Sequence, residues 1–158
     1  MQIYDWIIQL VTAFTGALGF AVLFNVQSAR LFWAGLGGML GWAVYLFLGL
    51  VYQSDVIRFF LASASFTLYS DPLARLKKTP ITVFLVPAAI PMVPGASLYR
   101  SMSFAVNGQW NAFAQQILYT LLLAAAIAAG IVCAMTVCHI GRRLWRVLLM
   151  RKSFQIKR

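Results

Sequence analysis

Three long uncharged runs are the feature that most constrains how this chain can fold. Residues 6–26, 31–52 and 112–141 contain no Asp, Glu, Lys or Arg over 21, 22 and 30 residues. A helix needs roughly 20 apolar residues to cross the hydrocarbon core of a bilayer. Charged residues make up 10% of the 158 residues, against roughly 25% in soluble domains. The sequence therefore predicts an all-α integral membrane protein.

Two further spans are predicted in the middle of the chain, and each has a complication. The third, at about 54–70, is long enough only if it carries Arg58 near the membrane interface, where a long Arg side chain reaches water. The fourth, at about 79–106, starts at Thr79-Pro80, which suit a helix N-terminus, and is broken at Pro87–Gly95. The alternative is four spans with a re-entrant third segment. The five predicted spans are about 6–26, 31–52, 54–70, 79–106 and 112–141, followed by a basic cytoplasmic tail at 142–158.

The distribution of basic residues predicts the orientation of the bundle. With five spans, eleven of the 13 Lys and Arg residues fall on one side of the membrane, and only Arg58 and Arg100 fall on the other. Cytoplasmic loops carry such an excess, so the N-terminus is predicted outside and the C-terminus inside. Basic clusters beside apolar runs also attract anionic lipid headgroups. The same distribution argues against a nucleic-acid partner.

Small residues at four-residue spacing predict close helix packing. Gly37 and Gly41 form one such pair in the second span. In the last span the same spacing occurs in two rows, Ala126, Gly130 and Ala134, and Ala124 and Ala128. Small side chains let helix backbones approach each other in lipid.

The prolines of the fourth span mark a candidate functional site. Pro87, Pro91 and Pro94 each lack an N–H and cannot complete the helical hydrogen-bond pattern, and Gly95 permits a turn that other residues resist. Irregular backbone inside a bilayer is tolerated where it is buried in protein or lines a wet cavity. Broken helices of this kind form the substrate sites of secondary transporters. A simple kink, relieved by neighbouring side chains, is the alternative.

The break predicts an anion-binding helix end. A second half-helix starting near Ala96 and Ser97 would direct free N–H groups and a partial positive charge into the membrane, which favours a substrate carboxylate. Ser97 and Ser101 share one helix face, and Arg100 adjoins it. The candidate residues here are Pro91, Pro94, Gly95, Ser97, Arg100 and Ser101.

Asp71 is a second candidate, at the inner end of the third span. The chain has no Glu, and the other acids, Asp5 and Asp55, lie near predicted outer ends. Asp71 could pair with Arg75 four residues later, or exchange a proton during transport. Pairing, or simple solvation at the membrane interface, is the favoured interpretation. Asn25, at the inner end of the first span, is more often a helix cap than a ligand.

Neither a metal site nor an enzyme is predicted. Cys133 and Cys138 point about 140° apart on a helix, which excludes a mutual disulfide or a shared ligand. His139 alone does not complete a metal site. No carboxylate pair, His or Cys cluster or nucleophile motif is present to carry a reaction, and no cofactor is predicted.

Five segments of the chain form a recognisable set: Leu23-Phe24-Asn25-Val26, Gly38-Met39-Leu40-Gly41-Trp42, Leu73-Ala74-Arg75, Thr79-Pro80 to Val83-Phe84-Leu85, and Ile90-Pro91-Met92-Val93-Pro94-Gly95 to Leu98-Tyr99. Together they resemble the threonine/serine exporter family, in particular its small second-half unit. The similarity covers nearly the whole chain. Family members commonly carry Glu-Ile before Leu-Ala-Arg, whereas Asp71 and Pro72 stand there in this sequence.

The resemblance implies a subunit of a secondary exporter in the cytoplasmic membrane of a prokaryote. Its substrates would be small amino acids such as threonine and serine, or small dicarboxylates such as succinate. A second, larger membrane subunit is implied as partner, since an odd number of spans lets a related half sit inverted beside this one. The carboxylate would lie near Pro91 to Ser97, with Asp71 and Arg75 at the cytoplasmic entrance. The alternative is a structural or regulatory membrane subunit that does not itself transport.

Overall fold

The fold is known from a computed structural model, which describes the backbone of residues 3–156 and the side chains of residues 4–27 and 29–143. Across this part the chain forms helices and turns only, in agreement with the predicted all-α class. A short 3-10 turn, Ile90–Met92, joins the fourth and fifth helices. The α-helices are α1 (Ile3–Leu23), α2 (Ser28–Leu48), α3 (Asp55–Leu76), α4 (Thr82–Ala89), α5 (Gly95–Val106) and α6 (Trp110–Ile156).

Three helices are long and apolar enough to cross a membrane. They contain the apolar stretches Tyr4–Leu23, Ala29–Leu48 and Trp110–Arg143. The stretch Thr82–Met92 and the helix Gly95–Val106 also qualify as a pair, and they are bent by 51° at the break between them. The described chain therefore has three candidate spans and one broken span or re-entrant loop.

Helix α3 lies inside the bundle, which explains why it is less apolar than the others. It packs against α2, α4 and α6. The hydroxyls of Ser63, Thr67 and Ser70 are buried and donate to carbonyls three or four residues earlier in the same helix. Its 22 residues rise about 33 Å, the thickness of a hydrocarbon core. That α3 spans the membrane as the fifth helix stays a prediction.

The small residues of α2 lie at close helix contacts, as the sequence predicts. A methyl group on Gly37 would meet the Ala88 side chain at 3.0 Å. One on Gly41 would meet the Phe66 ring at 2.9 Å. Gly37 therefore faces α4, and Gly41 faces α3. A larger residue at either position would increase the distance between the two helices.

Only one of the two predicted small-residue rows of α6 is in contact with the bundle. A methyl group on Gly130 would overlap the carbonyl oxygen of Phe60 and the Ser63 hydroxyl, so α6 crosses α3 with its backbone almost in contact. Ala124 and Ala128 are exposed. Spacing alone does not distinguish the two faces of a helix that is apolar all round.

Basic residues gather at one end of the bundle. The Lys77 ammonium lies 5.5 Å from the centre of the Trp33 ring, and Arg142 pairs with Asp71. The start of α2, the end of α3 and the Arg142 region of α6 therefore meet at this end. We call it the basic end, comprising Arg30, Arg75, Lys77, Lys78, Arg142 and Arg143. Its placement in the cytoplasm stays a prediction.

Two predicted boundaries change in the structure. Helix α4 begins at Thr82, with Ile81 as its cap residue, so Thr79 and Pro80 precede the helix. The Thr79 hydroxyl instead points back to the carbonyl of Ala74, at 3.5 Å. Helix α6 continues to Ile156, so the predicted basic tail extends this helix. The side chains of residues 144–158, and Lys157 and Arg158 altogether, lie outside the described part.

Candidate functional site

The break in the fourth span is shorter than the sequence predicts. Helix α4 continues through Pro87, and the backbone leaves helical geometry only at Val93 (φ −61°, ψ 125°) and Pro94 (φ −75°, ψ 56°). The reason is that tighter hydrogen bonds replace those that the prolines remove. The N–H of Ile90 donates to the Pro87 carbonyl, and the N–H of Val93 donates to the Ile90 carbonyl at 3.1 Å.

Pro94, rather than Gly95, makes the turn. The N–H of Gly95 donates to the Val93 carbonyl at 2.7 Å across Pro94, which has the angles of an inverse γ-turn. A methyl group on Gly95 would meet no atom within 4 Å, and its φ lies outside the left-handed region. The prediction that Gly95 is needed for its backbone freedom is therefore wrong, because the proline ring already supplies the required φ.

Helix α5 begins directly after this turn with two free backbone donors. Its first helical bond runs from the N–H of Leu98 to the Pro94 carbonyl, at 3.0 Å. The N–H groups of Ala96 and Ser97 precede the first acceptor inside the helix. The predicted half-helix end is thus present at the predicted residues.

A cavity of about 330 Å³ lies beside the break. We call it the break cavity. The break next to this cavity follows helix α4 and the 3-10 turn, which together rise about 18 Å. This length is slightly more than half the thickness of a ~30 Å hydrocarbon core. The break contributes Pro91, Pro94, Gly95, Ser97 and Arg100 to its lining, and the facing helices contribute Trp42, Tyr45, Asp55, Gln116 and Tyr119.

Ser97 is held by two polar side chains of α6. The Gln116 amide donates to the Ser97 hydroxyl at 2.8 Å, and the Ser97 and Thr120 hydroxyls are 2.7 Å apart. The Thr120 hydroxyl donates its own proton to the main-chain carbonyl of Gln116 at 2.8 Å. Because a hydroxyl has one proton, Ser97 is the donor to Thr120. This network fixes the start of α5 against α6.

Arg100 and Ser101, both predicted as site residues, have different surroundings. Arg100 is exposed, lines the break cavity, and forms no ion pair with any charged group in the described part of the chain. Ser101 is fully buried and donates to the Leu98 carbonyl at 2.7 Å. The structure therefore brings Ser97 and Arg100 to the cavity but not Ser101.

Asp55 is a cavity residue to which the sequence analysis gave no role. Its Oδ1 accepts from the Arg58 guanidinium at 3.0 Å and from the Tyr45 hydroxyl at 3.2 Å. Its Oδ2 accepts from the Tyr119 hydroxyl at 2.8 Å. The i,i+3 spacing of Asp55 and Arg58 is the one sequence signal that could have drawn attention to it. Tyr119 lies 64 residues away and gives no such signal.

Arg58 turns towards the protein and holds the end of α2. Its Nε donates to the Tyr52 carbonyl at 2.6 Å, and a terminal nitrogen donates to the Gly49 carbonyl at 3.3 Å. These carbonyls follow the last turn of α2 and have no helical donor. The guanidinium thus joins the end of α2 to Asp55 at the start of α3.

Asp71 lies at the basic end, about 24 Å along α3 from Asp55. It accepts two hydrogen bonds from Arg75, at 3.1 and 3.2 Å, so the predicted pairing is observed. Arg142 of α6 also donates to Asp71, a contact that the sequence does not predict. A second cavity of about 360 Å³, the Asp71 cavity, adjoins Asp71, Arg142 and His139. The proline break of the fourth span and Asp71, both predicted as candidate sites, therefore lie beside two separate cavities.

Asn25 is a helix cap in the structure. Its backbone is left-handed, with φ 55°, and its N–H donates to the Val22 carbonyl at 2.9 Å. The N–H of Val26 donates to the Ala21 carbonyl at 3.0 Å. These two bonds form a Schellman motif at the end of α1, with Asn in the position usually taken by Gly. Among the described residues no group of His, Cys, Asp or Glu is arranged to hold a metal.

Comparison with known protein families identifies the family of this chain. A family model described as "Threonine/Serine exporter, ThrE" matches residues 9–137, which include the break cavity and Asp71. The chain belongs to the threonine/serine exporter family. No solved structure matches it. As a member of the threonine/serine exporter family it is a multi-pass membrane protein with an exporter-type transport role, and the matched region ends before His139 and Arg142.

Proposed function

We propose that this chain is one subunit of a secondary exporter of small amino acids or small dicarboxylates. The observation that carries the proposal is the break at Val93 and Pro94, which opens a helix beside a cavity of about 330 Å³ whose largely apolar lining carries a few polar groups, among them Asp55, Ser97 and Arg100. Such a break is costly in hydrocarbon unless water or a polar solute occupies the space beside it. Membership of the threonine/serine exporter family supports the same role.

The substrate carboxylate would bind at the start of α5. The free N–H groups of Ala96 and Ser97 point from a helix N-terminus, where an anion gains about 0.3–2 kcal/mol from the helix dipole. The Arg100 guanidinium lines the same cavity and would add a charged donor. Pro91, Pro94 and Gly95 would shape the space around the carboxylate rather than bind it.

Asp71 and Arg75 would lie near the cytoplasmic entrance. They are at the basic end, beside the Asp71 cavity, whereas the break cavity lies nearer the other end of α3. Transport would then alternate between access to the two cavities as one half of the exporter rocks against the other. In this scheme Asn25 caps α1 and does not touch the substrate.

The other half would be a second, larger membrane subunit in the same prokaryotic cytoplasmic membrane. Large apolar side chains on α1 and α6 point away from the bundle, including Ile8 and Val11 on α1 and Leu118 and Leu122 on α6. Lipid or an apolar partner helix suits such faces. The basic end would attract anionic lipid headgroups.

The test is efflux of labelled threonine, serine and succinate from cells that express the chain with its partner subunit. Removing the chain is expected to lower efflux of at least one of the three. Pro94→Ala, which removes the ring that sets the turn, should lower efflux roughly tenfold or more, since ~1 Å of misplacement can cost that much. Pro87→Ala is the matched control, because Pro87 lies inside α4.

Two results would speak against the proposal. Unchanged efflux of all three substrates without the chain would contradict an exporter role for them. Full transport by a normally inserted Pro94→Ala variant would favour the alternative of a structural or regulatory subunit.

A further inference from the structure

We propose that Asp55 binds the ammonium group of the substrate, so that the break cavity selects zwitterionic amino acids over dicarboxylates. This inference rests on the proposed function and specifies its substrate class. In the lining of the break cavity Asp55 carries a negative charge and Arg100 a positive one. An α-amino acid presents one group of each sign, whereas a dicarboxylate presents two groups of the same sign.

The carboxylate of Asp55 has acceptor capacity left on the cavity side. A carboxylate offers about four acceptor positions. Three are used, two on Oδ1 by Arg58 and Tyr45 and one on Oδ2 by Tyr119. Arg58 does not line the break cavity and is anchored to main-chain carbonyls behind Asp55. The guanidinium therefore contacts the Asp55 carboxylate from the protein side and leaves the cavity side open.

Aromatic rings complete a surface that suits an ammonium group. Trp42 and Tyr45 stack with their ring centres 5.1 Å apart, and both line the break cavity beside Asp55. The indole N–H of Trp42 donates to the Gln9 side chain at 3.2 Å, which fixes the orientation of the ring. Because the Tyr45 ring already has Trp42 stacked on it and the Arg58 guanidinium 5.9 Å from its centre, the Trp42 ring is the one that would attract the ammonium group. The neighbouring Asp55 carboxylate would add to that attraction.

A dicarboxylate would fit this lining poorly. With one carboxylate at Arg100 and the start of α5, its second carboxylate would face Asp55 in place of an ammonium group. Two like charges in one cavity repel each other, and in a partly buried site the expected loss of affinity is about tenfold or more. The Gln116 amide and the Ser97 hydroxyl, which are polar but uncharged, line the same cavity and suit the side-chain hydroxyl of threonine or serine.

The experiment measures counterflow of labelled substrates in proteoliposomes that hold the complete exporter with both subunits. The substrates are threonine, 3-hydroxybutyrate, which is threonine without its ammonium group, and succinate. The intact exporter should transport threonine at least about tenfold faster than the other two. Asp55→Asn should lower threonine transport about tenfold without lowering the others, and Asp55→Glu should keep the preference.

Asp5→Asn is the matched control. Asp5 lies in the first turn of α1 and is not part of the break-cavity lining. Its replacement removes one acid from the chain and should leave the ratio of threonine to succinate transport unchanged. A ratio that falls equally in Asp5→Asn and Asp55→Asn would overturn the inference, because it would reflect net charge alone.

Three further outcomes separate this inference from the proposed function. Equal loss of all substrates in an inserted Asp55→Asn variant would give Asp55 a purely structural role and overturn the inference, while the exporter proposal stands. If the intact exporter transports 3-hydroxybutyrate or succinate as fast as threonine, the inference is likewise overturned, while the exporter proposal stands. Failure of the intact exporter to transport any of the three would contradict both.

Discussion

The crossing of α3 and α6 at Gly130 allows the sharpest test of the structure. In Gly130→Ala the added methyl group would overlap the Phe60 carbonyl oxygen and the Ser63 hydroxyl. Neither atom can move aside easily. The carbonyl belongs to the backbone of α3, and the fully buried Ser63 hydroxyl donates to that same carbonyl at 2.8 Å. The two helices must therefore separate.

The magnitude follows from two opposing contributions. Overpacking of a well-filled contact costs about 1–3 kcal/mol. Alanine is favoured over glycine inside a helix by up to about 1 kcal/mol, which offsets part of this cost. Because the obstructing atoms are held in place, the overpacking cost should lie near the upper end of its range, about 2–3 kcal/mol, and we expect Gly130→Ala to lower the free energy of unfolding by about 1–2 kcal/mol. Gly141→Ala, on the same helix, meets no atom within 4 Å and should raise it by about 0.5–1 kcal/mol.

The assay is unfolding of the purified protein in mixed micelles with increasing dodecyl sulfate, followed by circular dichroism. The Gly130→Ala midpoint should fall below that of the unmodified protein, and the Gly141→Ala midpoint should lie at or above it. A Gly130→Ala protein as stable as Gly141→Ala would refute the argument, since it would mean that α6 does not approach α3 at Phe60.

The remaining predictions concern the two cavities. Gly95→Ala should fold and insert normally because its methyl group meets open space, whereas Gly95→Leu should insert normally but lower efflux by filling the break cavity; equal efflux by both variants would contradict this. Asp71→Asn should lower the free energy of unfolding by about 1 kcal/mol, since it removes ion pairs to Arg75 and Arg142 that are partly exposed. Asp71→Glu, measured by the same dodecyl sulfate titration, should recover most of that loss, and identical midpoints for all three proteins would show that the ion pairs do not stabilise the bundle.

Local chemistry made parts of the site predictable. Asp71 and Arg75 are one helical turn apart, so their pairing follows from helix geometry once α3 is a helix. The half-helix start at Ala96 and Ser97 follows from Pro94, whose ring imposes its backbone angle wherever it occurs. Asn25 caps α1 because Asn tolerates a left-handed backbone better than most residues.

The break itself shows where local reasoning fails. Three prolines in the fourth span predict a long interruption, yet only Val93 and Pro94 leave helical geometry. The chain recovered hydrogen bonds for the Pro87 and Ile90 carbonyls by tightening to 3-10 geometry. Helix propensity reflects the backbone hydrogen bonds that proline removes. It does not reflect the replacement hydrogen bonds that a small adjustment of the backbone provides.

The amino-acid sequence by itself determined that this protein lies in lipid and is all-α. The reason is that the length of an apolar run and its charge content are local properties that do not depend on which helices pack together. It also determined that the fourth span opens within Pro87–Gly95, because proline acts on its own backbone, but not which of the prolines opens it. The tertiary structure alone decided which polar groups of different helices meet. Asp55 joins Tyr119 across 64 residues, Ser97 joins Gln116 across 19, and Asp71 joins Arg142 across 71. Such contacts depend on which faces of α3, α5 and α6 pack together, and that choice is made by the whole bundle rather than by any one of its segments.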